Sequence, residues 1–278
     1  MDLPLTVLIL TKNEEKAIQA CVSSLLNVNQ VIVVDSSSED LTVEMAEKLG
    51  ATVINFKWNG LYPKKKQWAL NLPEIKNDWV LFLDADESVA PDFFAELKEI
   101  FDTGRHRLFG AFEIDLEYFF LGRLLRHGHK VRKRALVNRN YCSFPEVSDL
   151  HVKNMWEVEG HYQPNCEKSV GKMNSKIKHL DPDPLYDYFF RHNRYSDWEA
   201  ELQINYDMRQ SVRAFRSAQG AIFDRIPFKP LFFFTYSYLI RLGWRDGKAG
   251  FNYALALSFY YWQISVKTLE KKINAKTI

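Results

Sequence analysis

Trp79-Val80-Leu81-Phe82-Leu83-Asp84-Ala85-Asp86-Glu87 decides how this chain is read. The apolar run is too continuous for a strand with one wet face and reads as a strand buried on both sides, as in a parallel sheet enclosed by helices. It stops abruptly in three acids. Carboxylates crowded at a strand end repel one another and are costly to desolvate unless a cation sits among them. Oxygen-only ligands of this kind suit a hard divalent ion, Mg²⁺ or Mn²⁺, bound jointly with substrate phosphates. Ligands of open α/β sheets bind outside the carboxyl ends of the strands, where this cluster would lie.

Working outward, the same grammar repeats. Leu5 to Leu10 is an apolar strand closed by Thr11-Lys12-Asn13-Glu14-Glu15, followed by a helical segment to about Leu26. Val31 to Val34 is a strand ending in Asp35, and Ser36-Ser37-Ser38-Glu39-Asp40 reads as a loop and helix cap. Leu41 to Leu49 is helical, Gly50 stops it, and Ala51 to Phe56 is a third strand. A helix through Lys66 and Leu70 leads into the strand before Asp84, and Pro91 opens the next helix. Strands alternating with helices predict an α/β fold, a doubly wound and mostly parallel sheet. The middle is less regular. Phe109 to Phe119, Ala135 to Asn138 and Val152 to Val158 read as strands, Gly122 to Arg134 as a basic loop, and Pro184 to about Phe215 as helix.

The chain has 278 residues, 46% of them hydrophobic and 26% charged, an ordinary globular composition. Its net charge of +2 conceals a gradient: −7 over residues 1–100, +1 over 101–205 and +8 over 206–278. The basic residues of the last segment are interleaved with Phe232-Phe233-Phe234 and with the uncharged stretch Ala249 to Val266, which is flanked by Lys248 and Lys267. Tyrosines, Trp262 and scattered polar residues within that stretch suit helices lying on an anionic membrane surface better than a span, and better than nucleic acid as a partner. Packing of the same helices on the main domain, or a homo-oligomer interface, is the alternative. Cys21, Cys142 and Cys166 have no metal-type spacing, so free thiols in a reducing compartment are expected. Met1-Asp2-Leu3-Pro4 carries an early acid and no basic region, so no secretory signal is expected, and the expected location is cytoplasmic, peripheral on the cytoplasmic face of the membrane.

Thr11, Asn13, Glu14 and Asp35 close the first two strands on the rim that carries Asp84 and Asp86. Near a switch point such groups suit a nucleoside, and Lys64-Lys65-Lys66 suits a diphosphate. Together with Leu8-Ile9-Leu10-Thr11-Lys12-Asn13-Glu14, Val33-Val34-Asp35-Ser36, Lys65-Lys66-Gln67-Trp68-Ala69-Leu70 and Leu83-Asp84-Ala85-Asp86-Glu87, these make the chain resemble the inverting family 2 glycosyltransferases of the GT-A nucleotide-diphospho-sugar transferase fold. The first 100 residues resemble the family strongly and the remainder loosely. Within the family the chain looks like the lipopolysaccharide-core β-1,4-glucosyltransferase branch.

The resemblance implies a catalytic domain over 1–220, with a nucleotide-binding half at 1–103 and an acceptor half at 104–220, and a C-terminal helical, aromatic-rich extension at 221–278. Thr11, Asn13 and Glu14 would line the nucleotide pocket, and Asp35 would hydrogen-bond the base. Lys65 or Lys66 would contact phosphates, Asp84 would approach the ribose or sugar, and Asp86 would ligate the metal. The donor would be UDP-linked and the acceptor a lipid-linked or lipopolysaccharide-type glycan. Inversion needs a general base. Glu157 and Glu159, on one side of the expected strand, are the candidates, with Asp149 in reserve; the family's usual Glu-Asp pair is absent in its usual form. His179 has no zinc-type spacing to the other histidines and is a candidate for the acceptor side. The rival readings are a catalytically silent membrane-peripheral nucleotide-binding protein and a sugar nucleotidylyltransferase, although the loop after the first strand lacks the glycines of the latter. No G-x-G-x-x-G follows that strand, which disfavours a dinucleotide oxidoreductase.

Overall fold

The computed structural model describes residues 3–25, 27–152, 155–159, 162–213 and 226–277. The chain divides into two compact units. One comprises Met1–Phe119, Lys130–Pro145 and Glu157–Pro182; the other comprises Phe120–His129, Glu146–Trp156 and Asp183–Ile278.

The first unit is built on a mixed sheet. Strands β1 (Leu3–Thr11), β2 (Val28–Asp35), β3 (Thr52–Asn55) and β4 (Trp79–Asp84) are parallel, in the order β3-β2-β1-β4. Strand order reverses between β1 and β4, which makes the gap above their carboxyl ends a switch point. Beyond β4, β8 (Arg132–Asn138) runs antiparallel to both β4 and β6 (Ala111–Phe120). Next to β6 lies β12 (Ile177–His179), which pairs antiparallel with β5 (Glu87–Val89); β7 (Arg123–Leu124) and β11 (Val170–Lys172) are short strands.

Both faces of the central strands are covered, so their sequences read as continuous apolar runs. Leu5, Val7, Ile9, Val33, Leu81 and Leu83 pack against α1 (Ile18–Ser23), α2 (Thr42–Lys48) and α4 (Pro91–Asp102) through Ile18, Cys21, Ala46, Phe93 and Leu97. The alternate residues Leu8, Leu10, Ile32, Val34, Val80 and Phe82 pack against α3 (Lys65–Leu70) through Ala69 and Leu70. Pro91 sits at the start of α4, as expected.

Two expectations are corrected. Cys142 and Cys166 are not free thiols but a disulfide, because β9 (Cys142–Ser143) pairs antiparallel with β10 (Asn165–Cys166) and sets the two cysteines opposite each other, 4.2 Å apart at Cα. Spacing along the chain carries no trace of that pairing. Cys21 is free and buried. The strand expected over Val152 to Val158 is absent among the described residues: a short 3₁₀ turn, Ser148–His151, precedes it, and Glu157 to Glu159 follow an irregular path with their hydrogen bonds made to another segment.

The second unit is helical and aromatic. Helices α5 (Leu185–Ile204) and α6 (Tyr206–Arg213) cover part of the helix expected from Pro184, whose last residues to Phe215 lie outside the described residues. Helix α7 (Lys229–Phe234) continues as a π-helical turn, Thr235–Ile240, and α8 (Gly247–Thr277) is long. One face of α8 packs within the unit through Ala249, Tyr253, Ala254, Ala256 and Tyr260. Lys271 pairs with Glu201 at 2.5 Å, and Ser258 donates to the Pro230 carbonyl at 2.7 Å. Gly250 permits the close approach of two segments: a Cβ there would lie 2.0 Å from the Gly243 carbonyl oxygen. Another face is a stripe of Phe251, Leu255, Phe259, Trp262, Val266, Leu269 and Ile273, each between 41% and 58% exposed. No described helix is long and apolar enough to cross a membrane.

Candidate active site

The carboxyl ends of β1 and β2 form one polar cluster. Register pairs Thr11 with Asp35, and the Thr11 hydroxyl donates to Asp35 Oδ1 at 2.8 Å. The Ser38 backbone N–H and hydroxyl donate to the two oxygens of the same carboxylate at 2.8 and 2.5 Å. Asp35 is only 3% exposed, so this burial is compensated by hydrogen bonds. Asn13 adopts a left-handed conformation, φ 57°, which asparagine tolerates better than most residues. Its N–H donates to the Ser38 hydroxyl and its side-chain oxygen accepts from the Glu39 N–H, while the Glu14 N–H donates to Thr42 Oγ1. The loops after β1 and β2 are thereby laced into one rim.

Helix α3 feeds into this rim. Lys65 is buried, and its ammonium donates to the Thr11 carbonyl at 2.7 Å and the Ser36 hydroxyl at 2.6 Å. Glu157 Oε1 accepts the Ser36 hydroxyl and lies 3.6 Å from Lys65 Nζ. Burial depresses the Lys65 pKa, with Glu157 and Asp35 opposing the shift. Glu159 plays a different part, since its two oxygens accept the N–H groups of Lys66 and Gln67 at 2.8 and 2.7 Å. It is a cap supplied from far along the chain, meeting donors that the first turn of a helix cannot satisfy itself. Burial raises the Glu159 pKa against those hydrogen bonds.

The second cluster lies at the end of β4. Asp84 is directly across from Leu10 of β1, on the switch-point side. Lys133 of β8 reaches Asp84 Oδ2 at 2.7 Å and both oxygens of Glu87 at 2.8 and 2.7 Å. The Glu87 carboxylate also accepts the Asp84 N–H at 3.0 Å. Burial alone would raise the Asp84 pKa, but Lys133, Lys66 and His179 hold it well below the ordinary carboxylate range. For Lys133, Asp84 and Glu87 outweigh burial and keep the ammonium charged. Below the cluster, the buried Cys21 thiol donates to the Asp84 carbonyl at 3.7 Å, and burial pushes its pKa up.

His179 stands opposite Glu87 on β12, its ring against Tyr118. Its Nδ1 lies 3.4 Å from Asp86 Oδ1 and is buried without a hydrogen bond. Burial would lower the His179 pKa; Asp86, Glu87 and Asp84 more than offset that and raise it. Among the described residues no group of three His, Cys, Asp or Glu side chains is arranged to hold an ion. A ring nitrogen left without a hydrogen bond beside a carboxylate nevertheless fits a divalent ion whose remaining ligands come from a substrate.

The structure thus brings Thr11, Asn13 and Asp35 together, joins Lys65 and Glu157 to that rim, and sets Asp84 and Asp86 in a cluster with His179. Glu159 and the Lys66 backbone meet at the start of α3. Asp149 is buried in the second unit, in the turn Ser148–His151. Ser36, Ser38, Lys133 and the Asp86–His179 pair are the participants sequence reasoning did not assign. The available signal for Lys133 was its place on the same strand as the buried run Ala135-Leu136-Val137, where a lysine requires a partner.

Similarities to known proteins add to this geometry. The profile of the family described as glycosyl transferase family 2 matches residues 6–150. An uncharacterized glycosyltransferase of Rickettsia bellii is 36% identical over 140 residues, covering 50% of this chain and 44% of the relative, so the chain spans about half the length of that protein. The lipopolysaccharide core biosynthesis glycosyltransferase LpsC of Rhizobium meliloti is 24% identical over 285 residues, covering 97% of this chain and 93% of LpsC. A glucosyl-3-phosphoglycerate synthase from Mycobacterium tuberculosis, crystallised with Mn²⁺, UDP-glucose and phosphoglyceric acid, is 25% identical with a TM-score of 0.31, covering 42% of this chain and 44% of that one.

Proposed function

The chain belongs to glycosyl transferase family 2, a family of glycosyltransferases, and on that premise we propose a metal-dependent, inverting transfer of a sugar from a UDP-linked donor to a lipid-linked or lipopolysaccharide-type glycan. The observation that carries this reading is Asp86 beside the unbonded Nδ1 of His179, 3.4 Å away, at the strand end next to the switch point. Asp86 and His179 would hold Mg²⁺ or Mn²⁺, with Asp84 turned toward the ribose or sugar. The ion, when bound, supplies Lewis-acid stabilisation of charge developing on the leaving diphosphate.

The chain's own groups supply the rest. Thr11, Asn13, Glu14 and Asp35 frame the nucleoside pocket, in which Asp35 is pre-oriented by Thr11 and Ser38. Lys65 is committed to Thr11 and Ser36, so Lys66 is the phosphate-facing ammonium in this reading. In the transfer, the acceptor hydroxyl loses its proton to a carboxylate as its oxygen bonds the anomeric carbon. The anomeric carbon–oxygen bond breaks, and its electron pair leaves with the nucleoside diphosphate. Glu157 is the stronger candidate for that base, because both oxygens of Glu159 are occupied as a helix cap; Asp149 is the reserve.

Similarity to LpsC along nearly the whole chain supports a cell-envelope glycan as acceptor. The basic residues of 206–278 and the apolar stripe of α8 support attachment to an anionic, cytoplasmic membrane face through the 221–278 extension, with 1–220 as the catalytic part. Calorimetry with UDP, GDP, CDP and ADP, each with and without Mn²⁺, tests the donor reading. Metal-dependent binding of UDP is expected; preference for another nucleotide redirects the donor, and no binding by folded protein overturns the reading.

A further inference from the structure

The geometry around Lys133 points to a device that the transfer reaction alone does not require. We propose that Lys133 is a resident cation that makes divalent-ion binding conditional on the nucleotide diphosphate, acting as a positioning residue through Asp84 and Glu87. The inference rests on the reading of Asp86 as a metal ligand.

A lysine ammonium has three N–H donors. Lys133 directs its ammonium to three carboxylate oxygens, Asp84 Oδ2 at 2.7 Å and Glu87 Oε1 and Oε2 at 2.8 and 2.7 Å. It therefore has no donor left for a substrate phosphate, unlike a lysine at the mouth of a pocket. Glu87 is 1% exposed and also accepts the Asp84 N–H, so its carboxylate is enclosed by protein donors and withdrawn from metal coordination. Of the three acids at this strand end, one is removed and a second has one oxygen engaged. What remains for an ion is Asp86, His179 Nδ1 and the other oxygen of Asp84.

A hard divalent ion takes about six ligands. The protein therefore offers too few, and it also sets a fixed positive charge beside the ion's position, which opposes binding in a partly buried site. A diphosphate reverses both deficits, since it brings oxygen ligands and negative charge together. The ion then arrives with the nucleotide and is not retained once the nucleoside diphosphate departs, so the free protein is not left with a metal-blocked site. A cluster built from the same acids without Lys133 would hold the ion more tightly in the absence of nucleotide.

The test is Mn²⁺ binding to the full chain, read from the electron paramagnetic resonance signal of free Mn²⁺, for wild type, Lys133→Gln and Lys133→Arg, with and without UDP. Wild type and Lys133→Arg are expected to bind Mn²⁺ at least about 100-fold more weakly without UDP than with it. Folded Lys133→Gln is expected to bind Mn²⁺ alone at least about 10-fold more tightly than wild type. An unchanged affinity in folded Lys133→Gln overturns the inference. So does wild-type binding of Mn²⁺ alone within about threefold of that with UDP, a result that needs no variant to fold. Lys133-sensitive Mn²⁺ binding without turnover of any UDP-sugar would leave this inference standing and remove the transfer reaction.

Discussion

The two units of this chain differ in emphasis in how they pack their polar groups. In the sheet unit, charges are placed in pairs and networks: Lys133 with Asp84 and Glu87, Lys65 with Glu157, Asp35 among hydroxyls. In the helical unit, imidazoles and indoles are held among rings, alongside the pair of buried Asp246 with His127. His129 lies 5.2 Å from Phe233, His192 stacks on Tyr188 at 4.0 Å, and Trp156 packs on Trp198 at 5.3 Å. Networks of fixed charge are pre-organised for recognising an anionic, metal-binding ligand, whereas aromatic packing provides amphipathic surface without committed charge. Chemistry is expected from the first unit and attachment from the second.

The largest test of that contrast is Asp86→Ala. Loss of a group acting on transition-state charge is expected to lower kcat/KM by at least about 10²-fold, with the melting temperature little changed. A drop of less than threefold in sugar transfer from a UDP-linked donor would break the contrast.

His129 tests the other side. Burial, with Arg241 nearby, depresses its pKa from 6.5 to about 4. Because the folded pKa lies below the unfolded one, the unfolded chain takes up a proton at a higher pH than the folded chain does. The stability of the neutral ring is therefore full above about pH 6.5 and is lost as pH falls toward 4, on the order of 3 kcal/mol in all. Urea unfolding at pH 7 and 4.5 is expected to show a smaller loss in His129→Phe than in wild type; equal losses would place the titration elsewhere.

Glu159→Gln sharpens the comparison within the sheet unit by separating a cap from a base. Loss of the charge at the start of α3 is expected to cost about 1–2 kcal/mol in stability. Glu157→Gln is expected to lower kcat more than Glu159→Gln does, with its own stability cost from the charge lost opposite buried Lys65; a larger kcat loss in Glu159→Gln would exchange their roles. The smallest stability effect is expected on the outer face of α8. Leu255→Ser with Trp262→Ser should change folding stability by no more than about 0.5 kcal/mol while reducing flotation with liposomes containing anionic lipid. Unchanged flotation would remove the stripe from membrane attachment.

Legibility followed the range of the interactions. Thr11, Asp35, Asp84 and Asp86 were visible because each closes or follows an apolar run, and a strand's end is encoded by its own few residues. The Lys133–Asp84 contact spans 49 positions, and the contacts from Glu159 to Lys66 and Gln67 span 93 and 92. Each depends on which strand or loop lies beside which. The error at Val152 to Val158 has the same origin: the segment reads as a strand, yet no sheet neighbour pairs with it among the described residues, and Glu159 turns to the start of α3 instead.

By itself the sequence determined the parallel half of the sheet, the acidic strand end and the basic, aromatic character of the last seventy or so residues. Hydrophobic periodicity and composition are local properties, and they are sufficient for those features. Only the tertiary structure decided which acids face a cation already built into the protein, which histidine stands beside Asp86, and which cysteines are joined. Antiparallel pairing of β4 with β8, of β5 with β12 and of β9 with β10 sets those partners across from one another, and register between distant strands is a property of the assembled sheet.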